Sequence, residues 1–133
     1  MKNEVIAFNR ARNRFELDEK LERAMLMEEV QEFFGAVTLP EKLKEFVDCV
    51  YVWDGTVAKY SFNGKVVPKD MSEWMINSLN FMSNTLQELL GDDMKQAVLR
   101  AQKIVCDANA LKGTDLTEQG KVAKSADFKD KID

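Results

Sequence analysis

The residues with chemistry to offer are five acids: Glu28, Glu29 and Glu32 in one cluster, Glu45 and Asp48 in a second. Glu29 and Glu32 stand three residues apart, as do Glu45 and Asp48, so on helices each pair shares a face. Asp48 is the more telling, because it interrupts an apolar run, Phe46-Val47-Asp48-Cys49-Val50-Tyr51-Val52-Trp53, that leaves nearly every side of a helix covered by protein. A carboxylate in such a place must be paired, hydrogen-bonded or bound to a cation, since an unpaired charge in an apolar medium costs more than a small domain can supply. The sequence puts no obvious basic partner beside Asp48. The expectation is that two helices place Glu29, Glu32, Glu45 and Asp48 around a divalent metal.

An all-oxygen set of that kind suits magnesium, with manganese as a second choice, and magnesium commonly completes its shell with water and substrate phosphates. A nucleoside triphosphate would fill the remainder, and the metal would neutralise the phosphate chain and activate a water for in-line attack. Glu28 shares a face with Glu32 and either hydrogen-bonds that water or orients a ligand. The plain alternative is that these acids only solvate a charged helix, as most such acids do, in a non-enzymatic helical interaction module. Histidine is absent. That removes Ser-His-Asp and Cys-His nucleophiles, the usual zinc sites and the Glu-x-x-His di-iron set.

Helices must position these acids. Residues 3–13 read as a short helix, and residues 17–34 as a second one without internal Gly or Pro, stopped at Gly35. Glu16, Asp18, Glu19, Lys20, Glu22 and Arg23 read as its solvated face. Thr38-Leu39-Pro40-Glu41 reads as a restart, with Thr38 as N-cap, Pro40 in the first turn and Glu41 at the capping-box position. The short connection sets the third helix antiparallel to the second, which brings the two acid pairs opposite each other. That helix ends near Asp54-Gly55-Thr56 or one turn later, and 57–67, which contains Asn63-Gly64, reads as a loop or small hairpin. Asp70 caps a fourth helix whose stripe is Met71, Met75, Leu79, Met82, Leu86 and Leu89, stopped by Gly91. A fifth begins at Asp92 or Asp93 and buries Met94, Val98, Ala101, Val105 and Ala108, widened by Ile104 and Leu111, up to Gly113. The expected fold is all-α, an antiparallel bundle of four to five helices over 1–113, followed by a lysine-containing tail over 114–133.

The bulk properties agree. A chain of 133 residues, 45% hydrophobic and 32% charged, is the size of one helical domain. Its net charge of -4 is spread along the sequence and offers no basic face for nucleic acid. No apolar stretch suggests a membrane span and Met1-Lys2-Asn3-Glu4 opens no signal peptide, so a cytoplasmic location is expected. Cys49 and Cys106, both inside apolar patterns, read as buried free thiols.

Glu28-Glu29-Val30-Gln31-Glu32 followed, after twelve residues, by Glu45-Phe46-Val47-Asp48 resembles the EExxE…ExxD signature of the MazG-type all-α NTP pyrophosphohydrolases. The run from Asp48 through Tyr51-Val52 to Gly55-Thr56, Val105-Cys106-Asp107-Ala108-Asn109-Ala110-Leu111-Lys112, and Gly120-Lys121-Val122-Ala123-Lys124 resemble later stretches of that family, the last found in small, phage-like members. The resemblance covers about residues 20–60 and 100–128. It implies hydrolysis of an NTP or dNTP to the monophosphate and pyrophosphate, with magnesium on Glu29, Glu32, Glu45 and Asp48. It further implies nucleotide contacts from Asn109 and Lys112, closure of Lys121 and Lys124 over the phosphates, and a homodimer or homotetramer.

Overall fold

The computed structural model describes residues 2–11 and 16–110. Five α-helices follow in order: α1 (Lys2–Ala11), α2 (Glu19–Gly35), α3 (Leu39–Phe62), α4 (Lys69–Leu90) and α5 (Met94–Ala110), with a 3-10 turn, Gly91–Asp93, between the last two. There is no strand among the described residues, so the all-α expectation holds. Helix α3 packs on each of the other four. That explains its nearly continuous apolar run, since a helix surrounded on all sides has little use for a polar face.

Local chemistry sets the ends. Asp18 Oδ1 accepts from Leu21 N at 3.1 Å and opens α2, two residues later than the apolar pattern suggests. Thr38 Oγ1 accepts from Glu41 N at 3.3 Å while Glu41 Oε2 accepts from Val37 N at 3.1 Å, so the expected capping box forms, with its return bond one residue further out. Lys42 Nζ donates to Phe33 O at 3.3 Å and satisfies a last-turn carbonyl of α2.

The expected loop or hairpin over 57–67 does not form. Helix α3 runs on to Phe62, past Asp54-Gly55-Thr56, because Gly55, Thr56, Lys59 and Tyr60 are buried there by neighbouring helices. Packing overrides the poor helix propensity of Gly and Thr. Asn63-Gly64 terminates the helix instead of turning a hairpin: Lys65 N bonds Tyr60 O and Gly64 N bonds Ser61 O, with Gly64 at φ +65°. This is the Schellman arrangement, which asks for the same left-handed residue as a hairpin turn.

Asp70 is not the cap of α4. That helix starts at Lys69 after Pro68, without a side-chain cap, and Asp70 turns to Arg23 of α2.

The core joins Leu26, Val30 and Phe33 of α2, Cys49 and Tyr60 of α3, and Met71, Met75, Met82 and Leu86 of α4. The methionine stripe is therefore core, each buried side chain contributing roughly 1.5–3 kcal/mol of transfer free energy. Leu89 and Ile104, expected to extend the apolar faces of α4 and α5, are exposed, as is Val37 after α2. Cys49 is buried and Cys106 only partly so, both as free thiols. Among the described residues, no helix is long and apolar enough to cross a membrane. Leu111, Gly113 and the tail lie outside the described residues.

Candidate metal site

Helices α2 and α3 run antiparallel, as their contacts show. Phe33 near the end of α2 meets Lys42 near the start of α3, and Glu22 near the start of α2 meets Thr56 and Lys59 near the end of α3. Between these two fastenings the acids converge. One oxygen from each of Glu29, Glu32 and Glu45 lies within 4.8 Å of the others, the expected meeting of the two motifs across the helix pair. Glu29 is buried, Glu45 half-buried and Glu32 exposed, so the cluster is open on one side.

Asp48, the fourth acid of the expected set, stands one turn along α3 from Glu45 and is not among the three whose oxygens converge. Its surroundings differ from the expectation in two ways. The side chain is 21% exposed, so it reaches water, and it has a basic neighbour, with Lys44 Nζ 3.6 Å from Asp48 Oδ2 and 3.2 Å from Glu45 Oε1. Burial works to lower the Lys44 pKa, but Asp48 and Glu45 together outweigh it and hold the ammonium above the ordinary lysine value. Lys44 is the residue that reading from the apolar run missed. The signal was present, since Lys44 and Asp48 are four apart on one helix.

The electrostatics favour a cation. Two carboxylates within 4.8 Å repel by roughly 3 kcal/mol at an effective dielectric near 20, less at the solvent-exposed Glu32. Lys44 offsets part of this charge, at Glu45 and Asp48. Glu45 Oε2 is buried without a hydrogen-bond partner, an oxygen with spare acceptor capacity facing a crowded anionic centre. Cys49 reports the same field: burial drives its thiol far above the usual range, and Glu29, Asp48, Glu45 and Glu32 each push it further. The thiol is thus held protonated and is no nucleophile. An all-oxygen donor set with an unsatisfied oxygen fits magnesium or manganese.

Glu28 is half-buried beside this group on α2. Asn109 is buried near the end of α5. Lys112, Lys121 and Lys124 lie outside the described residues.

The largest departure is at Glu22, expected on the solvated face of α2. It is 1% exposed, accepts from Thr56 Oγ1 at 2.9 Å and pairs with the Lys59 ammonium. This, and not Asp48, is the fully buried charge of the helix pair. Glu22 precedes Glu29 by seven residues, two helical turns, and so shares its seam. A reading that ended α3 at Gly55 had no partner to offer it.

Comparison with protein-family models finds no match to this chain, and neither curated proteins nor solved structures give one.

Proposed function

We propose that this chain is a magnesium-dependent nucleoside triphosphate pyrophosphohydrolase, converting an NTP or dNTP to the monophosphate and pyrophosphate. In this reading the helices form an antiparallel bundle that works as a homodimer or homotetramer in the cytoplasm. The observation that carries it is the convergence of Glu29, Glu32 and Glu45 from two helices, with Asp48 one turn beyond Glu45 and joined to it through Lys44. The resemblance of the two motifs to MazG-type enzymes supplies the reaction.

Glu29, Glu32, Glu45 and Asp48 would hold the ion. When bound, it would neutralise the triphosphate so that an anionic substrate can approach an acidic site. The residues do the rest. Glu28 accepts a proton from the attacking water as its oxygen bonds to phosphorus and the bridging P-O bond breaks, with pyrophosphate leaving. Asn109 and Lys112 contact the nucleotide, and Lys121 and Lys124 cover the phosphates. The protonated Cys49 and the packed apolar run of α3 keep water from the inner side of the acids.

One observation favours a second reading, a non-enzymatic helical module. Lys44 already bridges Glu45 and Asp48 and could serve as the resident cation. A panel of NTPs and dNTPs assayed for pyrophosphate release with and without magnesium separates the two. Release that depends on magnesium and is lost in Glu45→Gln supports the enzyme. No release from any nucleotide, together with no calorimetric magnesium binding, leaves the module.

A further inference from the structure

Helices α2 and α4 share a face that neither the core nor the acidic site uses. Arg23 Nη1 donates to Asp70 Oδ2 at 3.0 Å, and the rings of Phe34 and Phe81 lie 5.6 Å apart. Both pairs have the same sequence separation of 47, so the two helices run parallel in one register between these rungs. Met27 and Trp74 stand at that separation too and fall on an intermediate rung. Met27, Phe34 and Phe81 are 53–57% exposed and Trp74 is 39% exposed. Together they leave on the order of 400 Å² of apolar surface in water.

The charge pattern of α4 points the same way. Between Glu73 and Glu88 it carries no charged residue, in a chain that is 32% charged. The exposed polar positions there are the amides Asn77, Asn80, Asn84 and Gln87. Depletion of charge with aromatics and methionine at the centre marks the middle of a protein interface.

We propose that this face docks a second copy of the chain about a two-fold axis. A chain of net charge -4 repels its own copy except where the surface is neutral. Across a two-fold axis each group meets the same kind of surface, and amides suit this because they both donate and accept. Between Glu73 and Glu88, α4 offers a charged partner nothing to pair with. The apolar rungs supply about half of the roughly 800 Å² that each partner buries in a stable dimer, and the surrounding amides and hydroxyls supply a rim. Glu29 and Glu32 project from another flank of α2, so docking leaves the acids open. The inference rests on the homo-oligomer part of the proposed function and not on its chemistry.

Sedimentation of the full chain over micromolar concentrations tests it. A species of twice 15.2 kDa is expected. Phe81→Glu and Asn80→Lys should each raise its dissociation constant at least about tenfold, with the helical circular dichroism kept. Ile104→Glu, on exposed surface of α5, should leave it unchanged. Asn80→Lys alters a solvent-facing side chain, so it keeps the test alive if Phe81→Glu fails to fold. A wild-type monomer at every concentration would give this face to another occupant and overturn the proposal. So would a dimer that survives both α4 variants, or one that Ile104→Glu dissociates equally. Pyrophosphate release is read separately: an inactive dimer sinks the chemistry alone, and an active monomer sinks the docking and the homo-oligomer while the chemistry stands.

Discussion

Glu22 on α2 and Lys59 on α3 form a buried ion pair on the same seam that brings Glu29 and Glu45 together. A buried charge whose partner is deleted costs far more than an exposed one, because desolvation is no longer offset. Glu22→Ala should therefore destabilise the fold by about 3–5 kcal/mol in urea unfolding, leaving Lys59 stranded. The double change Glu22→Leu with Lys59→Met should cost much less, since both charges go together. Equal losses in the single and double variants would mean that the pair is not coupled.

Removing charge from the acids while keeping their shape separates chemistry from folding. Glu45→Gln and Asp48→Asn should each lower magnesium-dependent turnover by at least about 100-fold with helicity kept. Full activity in Asp48→Asn would show that the partly exposed Asp48 stands outside the metal set, where Lys44 already neutralises it.

Lys44→Ala tests what the ammonium does. Two like unit charges 4 Å apart in water repel by about 1 kcal/mol. If Lys44 competes with a bound ion, its loss should tighten calorimetric magnesium binding by about three- to tenfold, and magnesium should restore the thermal stability the variant loses. If Lys44 is itself the only cation the acids need, the variant is destabilised and magnesium does nothing for it.

The Arg23–Asp70 bridge gives a signed pH effect. The Arg23 guanidinium holds the Asp70 carboxyl below its usual value, chiefly by hydrogen bonding. A depressed folded-state pKa stabilises above the unfolded value, near 3.8 for this carboxyl, and that contribution is lost as the pH falls through the folded value. Melting curves of wild type and Asp70→Asn should thus differ near neutral pH and converge in acid. The gap should be small, because both groups are exposed. A gap that widens on acidification would have the wrong sign.

Glycine substitutions test the reassignment of Asn63-Gly64. A Cβ at Gly64 would meet nothing within 4 Å, so only its positive φ opposes a side chain. Gly64→Ala should cost about 1 kcal/mol. Gly35→Ala, in a helical backbone with equal room, should be neutral or slightly stabilising. Thermal melts that rank the two the other way would argue against the Schellman stop.

The sequence revealed the fold where local signals and packing agree. Thr38 to Glu41 and the methionine stripe of α4 needed only capping rules and periodicity, and the meeting of Glu29, Glu32 and Glu45 followed from two motifs on a short antiparallel link. It misled where tertiary burial overrode a local cue. Gly55-Thr56 looked like an ending, and Asn63-Gly64 fits a hairpin turn and a helix stop equally well. Shortening α3 in that way hid Thr56 and Lys59, and with them the burial of Glu22. Asp48 was mistaken for the deepest charge because its neighbours in sequence are apolar, whereas its exposure depends on where α3 meets solvent.

The helix pair that bears the acids is fastened at both extremities: covalently through Ala36–Thr38, and ionically where Glu22 meets Lys59. A clasped pair cannot splay to let crowded carboxylates drift apart. Their mutual repulsion is then met where they stand, in part by the Lys44 ammonium against Glu45 and Asp48.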